Sequence, residues 1–430
     1  MSARSVAVQL DVEAMPNTKL VLVGSGLDNG EWTPGKEPPN SLTPPVTSIS
    51  WESQSDGVLT GTQGWVRYYP VVPGGSVPSN VPDADTIYVF WDDPYVGGNN
   101  YQSTAPSPYK ITGGSILGYE ADNDSAVFTL SFTPELQASA TTPALAYFAP
   151  GPLGSQLVMA YVATNGSNDL FVTTTAAVNS WSQGSPVTGQ SSAIAPTLTE
   201  FNGQLVLAYV AANASLDLLV SLSKDGVNWS QSNPVEGQST SVAPAIGALG
   251  STLILAYVAN NSSNDLLVTT SADGINWTAS KPVTGQASPH SPALAVLNGK
   301  LFLAYVANNG SNDLFVTTST DGVNWTTSKP VAGQTSPTGP ALTAFNDQLV
   351  MAYVANNGSL DVCVTTSKDG VMWTTGEAVA GQTTPMTPAL SGFLGNVVLA
   401  YVANTVNQRL IVTTSADASN WQPSINVSGP

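Results

Sequence analysis

Amide and carboxylate side chains recur every 48 residues in the second part of the chain, in segments spelled NNGSND and GQTSP where they are most regular. Amides, hydroxyls and carboxylates at this density can exchange hydrogen bonds with sugar hydroxyl groups. We therefore predict weak glycan sites at Asn165, Asn168, Asp169, Gln190, Asn213, Asp217, Gln238, Asn261, Asn264, Asp265, Gln286, Asn309, Asn312, Asp313, Gln334, Asn357, Asp361 and Gln382.

Near-identical copies favour a multivalent binder, because an enzyme pocket breaks the symmetry of a repeat whereas equivalent binding sites keep it. Several weak sites presented together raise avidity by roughly 10²–10⁴. The alternative is that these segments are simply good turns, since Asn, Gly, Ser and Asp favour turns on their own account. They also contain no aromatic ring on which a sugar could stack.

The residue inventory disfavours catalysis. Beyond residue 138 the chain has one arginine, Arg409, whereas a sialidase needs an arginine cluster for its substrate carboxylate. His290 is the single histidine, which argues against a histidine-based triad or metal site. Cys363 stands where sister repeats carry Leu or Phe and is predicted to be a core residue. We expect no enzymatic activity, no metal and no cofactor.

The spacing comes from a repeated unit that is most regular from Pro340 to Thr387. Its tyrosine falls at Tyr161, Tyr209, Tyr257, Tyr305, Tyr353 and Tyr401, and its tryptophan at Trp181, Trp229, Trp277, Trp325, Trp373 and Trp421. Each copy reads as four strands: PAL, QLVLAYV (apolar on both faces), DLFVTTS and the more polar TTSKPV. Four strands at this period predict a β-propeller, and six copies predict six blades over residues 139–430. A solenoid is the alternative architecture.

In antiparallel blades the NNGSND turn and the GQ loop lie on one face, and the remaining turns lie on the other. The last copy stops before any GQ loop, so we expect ring closure by packing between blades and not by a strand shared between the two ends of the module.

The motif SKDGVNW, residues 223–229, resembles the Asp-box of sialidases and related propeller lectins. It recurs at Asp273, Asp321 and Asp369 and weakens at Asp417. We expect a structural role, in which the Asp accepts backbone N–H bonds inside a turn and the Gly supplies a positive φ.

Residues 1–138 alternate short apolar runs with turn clusters and predict an antiparallel β-sandwich. The runs are SVAVQLDV, KLVLVGS, GWVRYYPVV, TIYVFWD and AVFTLSFT. Aromatic residues are frequent here, and rings on loops suit a bilayer interface or a sugar because they combine an apolar face with a polar edge.

Three motifs in this module carry a family resemblance: GEW at 30–32, TGTQGWV at 60–66 and FWDDPYVGGNNY at 90–101. Together they resemble the aegerolysins, small acidic β-sandwiches with an actinoporin-like fold. The resemblance implies recognition of membrane lipid through aromatic loops, with Trp32, Trp91, Tyr95 and Tyr101 as membrane-binding candidates. It also implies that a second, larger pore-forming protein can be a partner.

The net charge of −18, with 11 basic residues, excludes nucleic acid as a natural partner. No signal peptide or long apolar run is seen, so we expect a soluble protein that acts extracellularly after leaderless release or lysis. The main hypothesis is a toxin, cytolysin or defence component whose propeller binds cell-surface glycans and whose sandwich binds lipid. The alternatives are a plain multivalent lectin or agglutinin, or an adhesion scaffold. Oligomeric state, sugar and lipid are left open.

Overall fold

The computed structural model describes residues 4–13, 19–43, 46–57, 60–71, 77–78, 80–106, 109–116, 123–132, 135–151, 154–164, 166–405 and 407–429. The chain forms two compact units, one ending at Glu135 and the other running from Leu136 to Gly429. In the described part of the chain, no helix has the length and apolar character needed to cross a membrane.

The first unit is built from strands and one 3-10 turn. Its strands are β1 Ser5–Glu13, β2 Lys19–Asn29, β3 Glu31–Trp32, β4 Ser41–Leu42, β5 Ser48–Gln54, β6 Thr62–Val71, β7 Ile87–Asp93, β8 Asn100–Thr104, β9 Tyr109–Ile116 and β10 Asn123–Phe132, and the turn is Asp83–Asp85. All five apolar runs identified in the sequence form strands.

These strands make two five-stranded sheets, ordered β3-β5-β1-β10-β9 and β4-β2-β6-β7-β8. The prediction of a purely antiparallel module is wrong, because β1 pairs with β10 in parallel, from Ser5 opposite Asn123 to Glu13 opposite Ser131. Parallel pairing needs a long crossover, and the rest of the unit supplies it.

One hydrophobic core joins the two sheets of this unit. Trp51 of the first sheet lies between Tyr68 and Trp91 of the second, with ring centroids 6.2 Å from each. Alternation explains the arrangement, since every second residue of β6 and β7 faces inward and is buried.

The second unit repeats one four-stranded pattern. Its strands are β11 Glu135–Leu136, β12 Ala144–Gly151, β13 Gly154–Val162, β14 Asp169–Thr175, β15 Ser185–Ser191, β16 Thr197–Phe201, β17 Gln204–Val210, β18 Asp217–Ser223, β19 Asn233–Ser239, β20 Ala245–Leu249, β21 Thr252–Val258, β22 Asp265–Ser271, β23 Lys281–Ala287, β24 Ala293–Leu297, β25 Lys300–Val306, β26 Asp313–Ser319, β27 Lys329–Thr335, β28 Ala341–Phe345, β29 Gln348–Val354, β30 Asp361–Ser367, β31 Glu377–Thr383, β32 Ala389–Phe393, β33 Asn396–Val402, β34 Leu410–Ser415, β35 Ile425–Asn426 and β36 Ser428–Gly429.

Strands β12 to β35 form six antiparallel four-stranded sheets in chain order, here called sheets 1 to 6. The second strand of each is buried on both faces, as in β17 and β21. Such a strand needs a neighbouring layer on each side. The innermost strands contact one another in the order β12, β16, β20, β24, β28 and β32, and β32 contacts β12 again, so the sheets form a closed cycle.

Closure uses a segment from the start of this unit, which corrects our expectation of closure by packing alone. The Gln137 N–H donates to Val427 O and the Leu410 N–H donates to Gln137 O, both at 2.9 Å. The Ser139 N–H donates to Gln408 O at 3.0 Å, just as Ser192 N–H donates to Asn168 O in sheet 1. Residues 137–139 therefore complete the outer edge of sheet 6.

The GQ dipeptide lies inside the fourth strand and not in a loop. In sheet 1, Asp169 pairs with Ser191 but Phe171 pairs with Pro186, so several extra residues bulge out of β15. Gly189 has φ +74° at this bulge, a conformation that glycine adopts without strain. The bulge turns Gln190 back toward the neighbouring sheet.

Candidate functional site

Turns of the NNGSND type join the second and third strands of sheets 1 to 5, and their polar groups bond mainly to one another. In sheet 2, Asn213 Nδ2 donates to Asp217 Oδ2 at 3.2 Å and Ser215 Oγ donates to the same oxygen at 2.7 Å. The equivalent pairs are Asn261 with Asp265 at 3.2 Å and Asn309 with Asp313 at 2.8 Å. The four second-position amides Asn213, Asn261, Asn309 and Asn357 are exposed.

Sheets 1 and 5 vary this turn. In sheet 1 the Ser167 hydroxyl donates to Asp169, while Asn165 lies outside the described residues. In sheet 5, Asn357 Oδ1 accepts the Ser359 N–H at 3.0 Å, and Asp361 starts β30.

The fifth residue of the turn, directly before the aspartate, determines the local backbone conformation. Asn168, Asn264 and Asn312 have φ of 59°, 54° and 59°, in the left-handed region that Asn tolerates well. Leu216 and Leu360 hold the same position with φ of 53° and 60°. This position therefore sets the backbone in every sheet, whichever side chain it carries.

Two of the predicted glutamines do not reach the surface. Gln190 and Gln334 are 5% and 6% exposed, and their amide nitrogens point into the next sheet. Gln190 Nε2 donates to Ser221 Oγ at 3.0 Å and to Ser230 O at 2.9 Å. The prediction of surface amides is wrong here, because the bulge carries these side chains inward.

The other three glutamines point to a tyrosine of the next sheet. Gln238, Gln286 and Gln382 accept the hydroxyl protons of Tyr257, Tyr305 and Tyr401 through Oε1. Burial raises the pKa of Tyr401 to about 12. These half-buried glutamines hold neighbouring sheets together, and a ligand would have to compete with that bond.

The acidic turns behave as expected. Asp225 Oδ1 accepts the N–H groups of Val227 and Asn228 at 2.9 and 2.7 Å, and Gly226 has φ +76°. The Asn228 amide and these N–H groups lower the pKa of Asp225 to about 2. The motif does not weaken at Asp417, which accepts the same bonds from Ser419 and Asn420.

Of the four predicted membrane-binding rings, one lies in the core of the first unit and two pack against it. Trp91 is fully buried and donates to Ser53 Oγ at 2.8 Å, so its assignment to a lipid contact is wrong. Trp32 packs on Trp91 with centroids 5.8 Å apart, and Tyr101 packs on the same core. Tyr95 is 38% exposed and follows β7 directly.

A buried carboxylate anchors the segment that carries Tyr95. Asp93 Oδ1 accepts a bond from Arg4 at 3.3 Å, Arg4 also donates to Pro94 O at 2.8 Å, and the guanidinium lies 5.4 Å from the Tyr95 ring. Burial, with the charge of Asp124 next in size, raises the pKa of Asp93 to about 6. The arrangement fixes the turn after β7.

A cavity of about 470 Å³ lies among the innermost strands of the six sheets. Its wall consists largely of Ala, Pro, Thr and Leu, and Glu200 is the one carboxylate among the described lining residues. Glu200 accepts the Gly203 N–H at 2.7 Å. Paired acids, as in a glycosidase, are therefore not seen in the described wall of this cavity.

No protein-family model matches the chain, and no curated protein matches it. Solved structures share its fold. Aleuria aurantia lectin, a point mutant in complex with alpha-methyl-L-fucoside, has a TM-score of 0.50 at 16% identity over 69% of this chain and 97% of that chain. Another structure of that fungal lectin, described as a six-bladed β-propeller with a novel fucose recognition mode, gives 0.50 at 15% over 69% and 98%.

A mutant of AofleA from Arthrobotrys oligospora gives a TM-score of 0.51 at 14% identity over 75% of this chain and 91% of that chain. A TM-score of 0.39 to an alpha-L-arabinofuranosidase from Clostridium thermocellum is too low to carry an argument. At these identities the likeness concerns the fold alone. The chain is an all-β protein whose repeat region has a propeller-like fold that is also found in lectins.

The tyrosine hydroxyls were not predicted from the sequence as partners of the glutamines. Residue 184 and its equivalents, which lie beside each tyrosine, were not predicted either. The available signal was the residue type there: Gly184, Ser232, Ser280, Ser328, Gly376 and Ser424.

Proposed function

We propose that residues 139–430 form a six-bladed β-propeller that binds glycans at several equivalent places, and that the protein is a non-enzymatic multivalent lectin. The observation that carries this proposal is the repetition of one exposed amide, at Asn213, Asn261, Asn309 and Asn357, on the turn that also holds a carboxylate.

Chemistry supports this assignment. Each turn presents an amide and a carboxylate side by side, and sugar hydroxyls both donate to and accept from such groups. Within the turn these groups bond to each other, so a sugar exchanges existing bonds and the affinity of one site is expected to be weak. Fold likeness to lectins agrees with this class of ligand.

Weak equivalent sites become effective together. Five of the six sheets in the closed cycle present these turns around one face, and a dense glycan surface can engage several of them at once. This gives the plain lectin hypothesis more support than the toxin hypothesis, whose lipid-binding rings lie largely in the core.

A glycan array probed with the intact protein tests the proposal. We expect retention on at least one class of terminal sugar, including L-fucose among those printed, and release by the free sugar. The Asn213→Ala, Asn261→Ala, Asn309→Ala and Asn357→Ala quadruple variant should lose retention while keeping its circular dichroism spectrum. The matching Asp→Asn changes in the acidic turns should leave retention intact. Absence of retention on every glycan would refute the proposal.

A second candidate function, lipid contact by the first unit, has one favourable observation: Tyr95 and Val96 are 38% and 82% exposed on neighbouring positions. Sedimentation of the intact protein with liposomes tests it. Tyr95→Ala with Val96→Ser should abolish co-sedimentation, and if no lipid composition sediments the protein, this candidate is excluded.

A further inference from the structure

The six junctions between neighbouring sheets are of two kinds. At three of them a glutamine accepts a tyrosine hydroxyl proton, as Gln238 does from Tyr257. At the other three the glutamine turns inward and donates to a main-chain carbonyl: Gln137 to Ser182 O at 2.8 Å, Gln190 to Ser230 O at 2.9 Å and Gln334 to Thr374 O at 2.9 Å.

The residue types at two positions differ between junctions with an outward glutamine and junctions with an inward one. The outward junctions all combine a serine beside the tyrosine with a threonine on the third strand: Ser280 with Thr269, Ser328 with Thr317, and Ser424 with Thr413. Each inward junction has lost side-chain atoms at one of these positions. Gly184 and Gly376 replace the serine at two junctions, and Ser221 replaces the threonine at the third. At each inward junction the glutamine side chain occupies the volume left by the missing side-chain atoms.

Turning inward leaves the amide oxygen unsatisfied. In the described residues, Gln137, Gln190 and Gln334 have a buried Oε1 with no hydrogen-bond partner. Their side chains are 7%, 5% and 6% exposed. A buried acceptor of this kind favours any donor that can reach it.

At two junctions the oxygen lies directly beneath a partly exposed glycine. A Cβ added at Gly184 would stand 3.3 Å from Gln137 Oε1, and one added at Gly376 would stand 3.1 Å from Gln334 Oε1. The hydroxyls of Tyr161 and Tyr353 lie at the same glycines. Thus each tyrosine hydroxyl lies where a side chain would otherwise stand, next to the buried amide oxygen.

We propose that a sugar hydroxyl donates to the buried amide oxygen only at the inward junctions, those of Gln137, Gln190 and Gln334, so that three of the weak sites bind more tightly than the others. This inference rests on the proposed lectin function. It identifies which junctions bind and which residues select them.

Equilibrium dialysis with labelled methyl α-L-fucoside tests the count, and the methyl glycoside of another sugar is used where the array selects that sugar instead. The wild-type chain should bind three molecules in its tighter class of sites. Ser221→Thr restores the outward combination and should bind two. Thr269→Ser creates the inward combination at a new junction and should bind four. Both exchanges keep the hydroxyl that donates to a main-chain carbonyl just before the fourth strand, from Ser221 to Ser230 O at 2.7 Å and from Thr269 to Thr278 O at 2.6 Å.

The gain of a site in Thr269→Ser cannot be produced by misfolding, so it separates binding from stability. Crystal structures of both variants show whether Gln190 turns outward and Gln238 turns inward. Bound sugar with the same stoichiometry in all three proteins overturns this inference and leaves the lectin function standing. Absence of bound sugar in all three, with a silent array, overturns the lectin function as well. Water alone on the amide oxygens, with sugar bound elsewhere, also refutes the inference.

Discussion

Removing the closing segment should destabilise the second unit far more than its size suggests. We compare the fragments 136–430 and 141–430, which differ in five residues. The longer fragment keeps four main-chain hydrogen bonds of 2.9 to 3.0 Å. Three of them join the segment to sheet 6: Gln137 N–H to Val427 O, Leu410 N–H to Gln137 O and Ser139 N–H to Gln408 O. The fourth, Ala140 N–H to Val162 O, joins it to sheet 1. Gln137 Nε2 adds a bond to Ser182 O at 2.8 Å.

Five hydrogen bonds at about 0.5–1.5 kcal/mol each give a loss of roughly 3–7 kcal/mol in the free energy of unfolding. Such a loss is comparable to the whole stability of many domains. Urea unfolding followed by tryptophan fluorescence measures it, and the double variant Gln137→Ala with Ser139→Ala in the longer fragment should lie between the two. A difference below about 1 kcal/mol between the fragments would show that the ring closes without this segment.

Three further outcomes follow from the structure. Asp225→Asn should lower the free energy of unfolding at neutral pH, and the difference from wild type should shrink as the pH falls from about 4 toward 2, because the carboxylate with its lowered pKa stabilises the fold only while it is ionised. Urea midpoints of both proteins across this pH range measure the difference. A difference that does not change with pH would contradict this prediction. The stability of wild type should fall as the pH rises from about 4 to 6, because the raised pKa of Asp93 means that the folded state holds a proton that the unfolded state has already lost. Asp93→Asn should make this fall smaller. An unchanged dependence of the urea midpoint on pH would show that Asp93 is not its cause. Ala418→Gly should stabilise the second unit by roughly 0.5–1 kcal/mol, because Ala418 has φ +63°, which is strained for alanine and not for glycine. Gly322→Ala should destabilise the same unit, because the added Cβ would stand 2.6 Å from Ile254 Cγ1. Thermal melts compare the two variants with wild type, and a lower melting temperature for Ala418→Gly would refute the argument.

The repeat's strands were predictable because their signals are local and periodic. The run QLVLAYV is apolar at every position and bounded by turns, so a strand buried on both faces was the natural interpretation. The bonds of the acidic turn follow equally from the short range between Asp225 and Asn228.

Closure was not predicted because its two halves are separated by the length of the whole module. The signal was present in the sequence: Gln137-Ala138-Ser139 repeats the Gln190-Ser191-Ser192 pattern, and Ser139 and Ser192 are both fully buried. A two-residue match is weak on its own, and only the partner strand, β34 with Leu410, gives it meaning.

The direction of the glutamines could not be predicted from turn chemistry. It follows the methyl group that Ser221 lacks relative to threonine and the hydroxymethyl group that Gly184 and Gly376 lack relative to serine. These small differences act through packing between sheets. Trp91 illustrates the same limit in the first unit, because the family resemblance suggested a membrane contact while alternation along β7 places the ring in the core.

The most direct test of multivalent glycan recognition is the binding of the intact protein to surfaces that carry the same sugar at high and low density. We predict that the dense surface retains the protein roughly 10²–10⁴-fold more strongly than the sparse one, and that the free monosaccharide releases it from both. Equal affinity for the two surfaces would contradict cooperation between the sites, and absence of retention on both would contradict glycan binding itself.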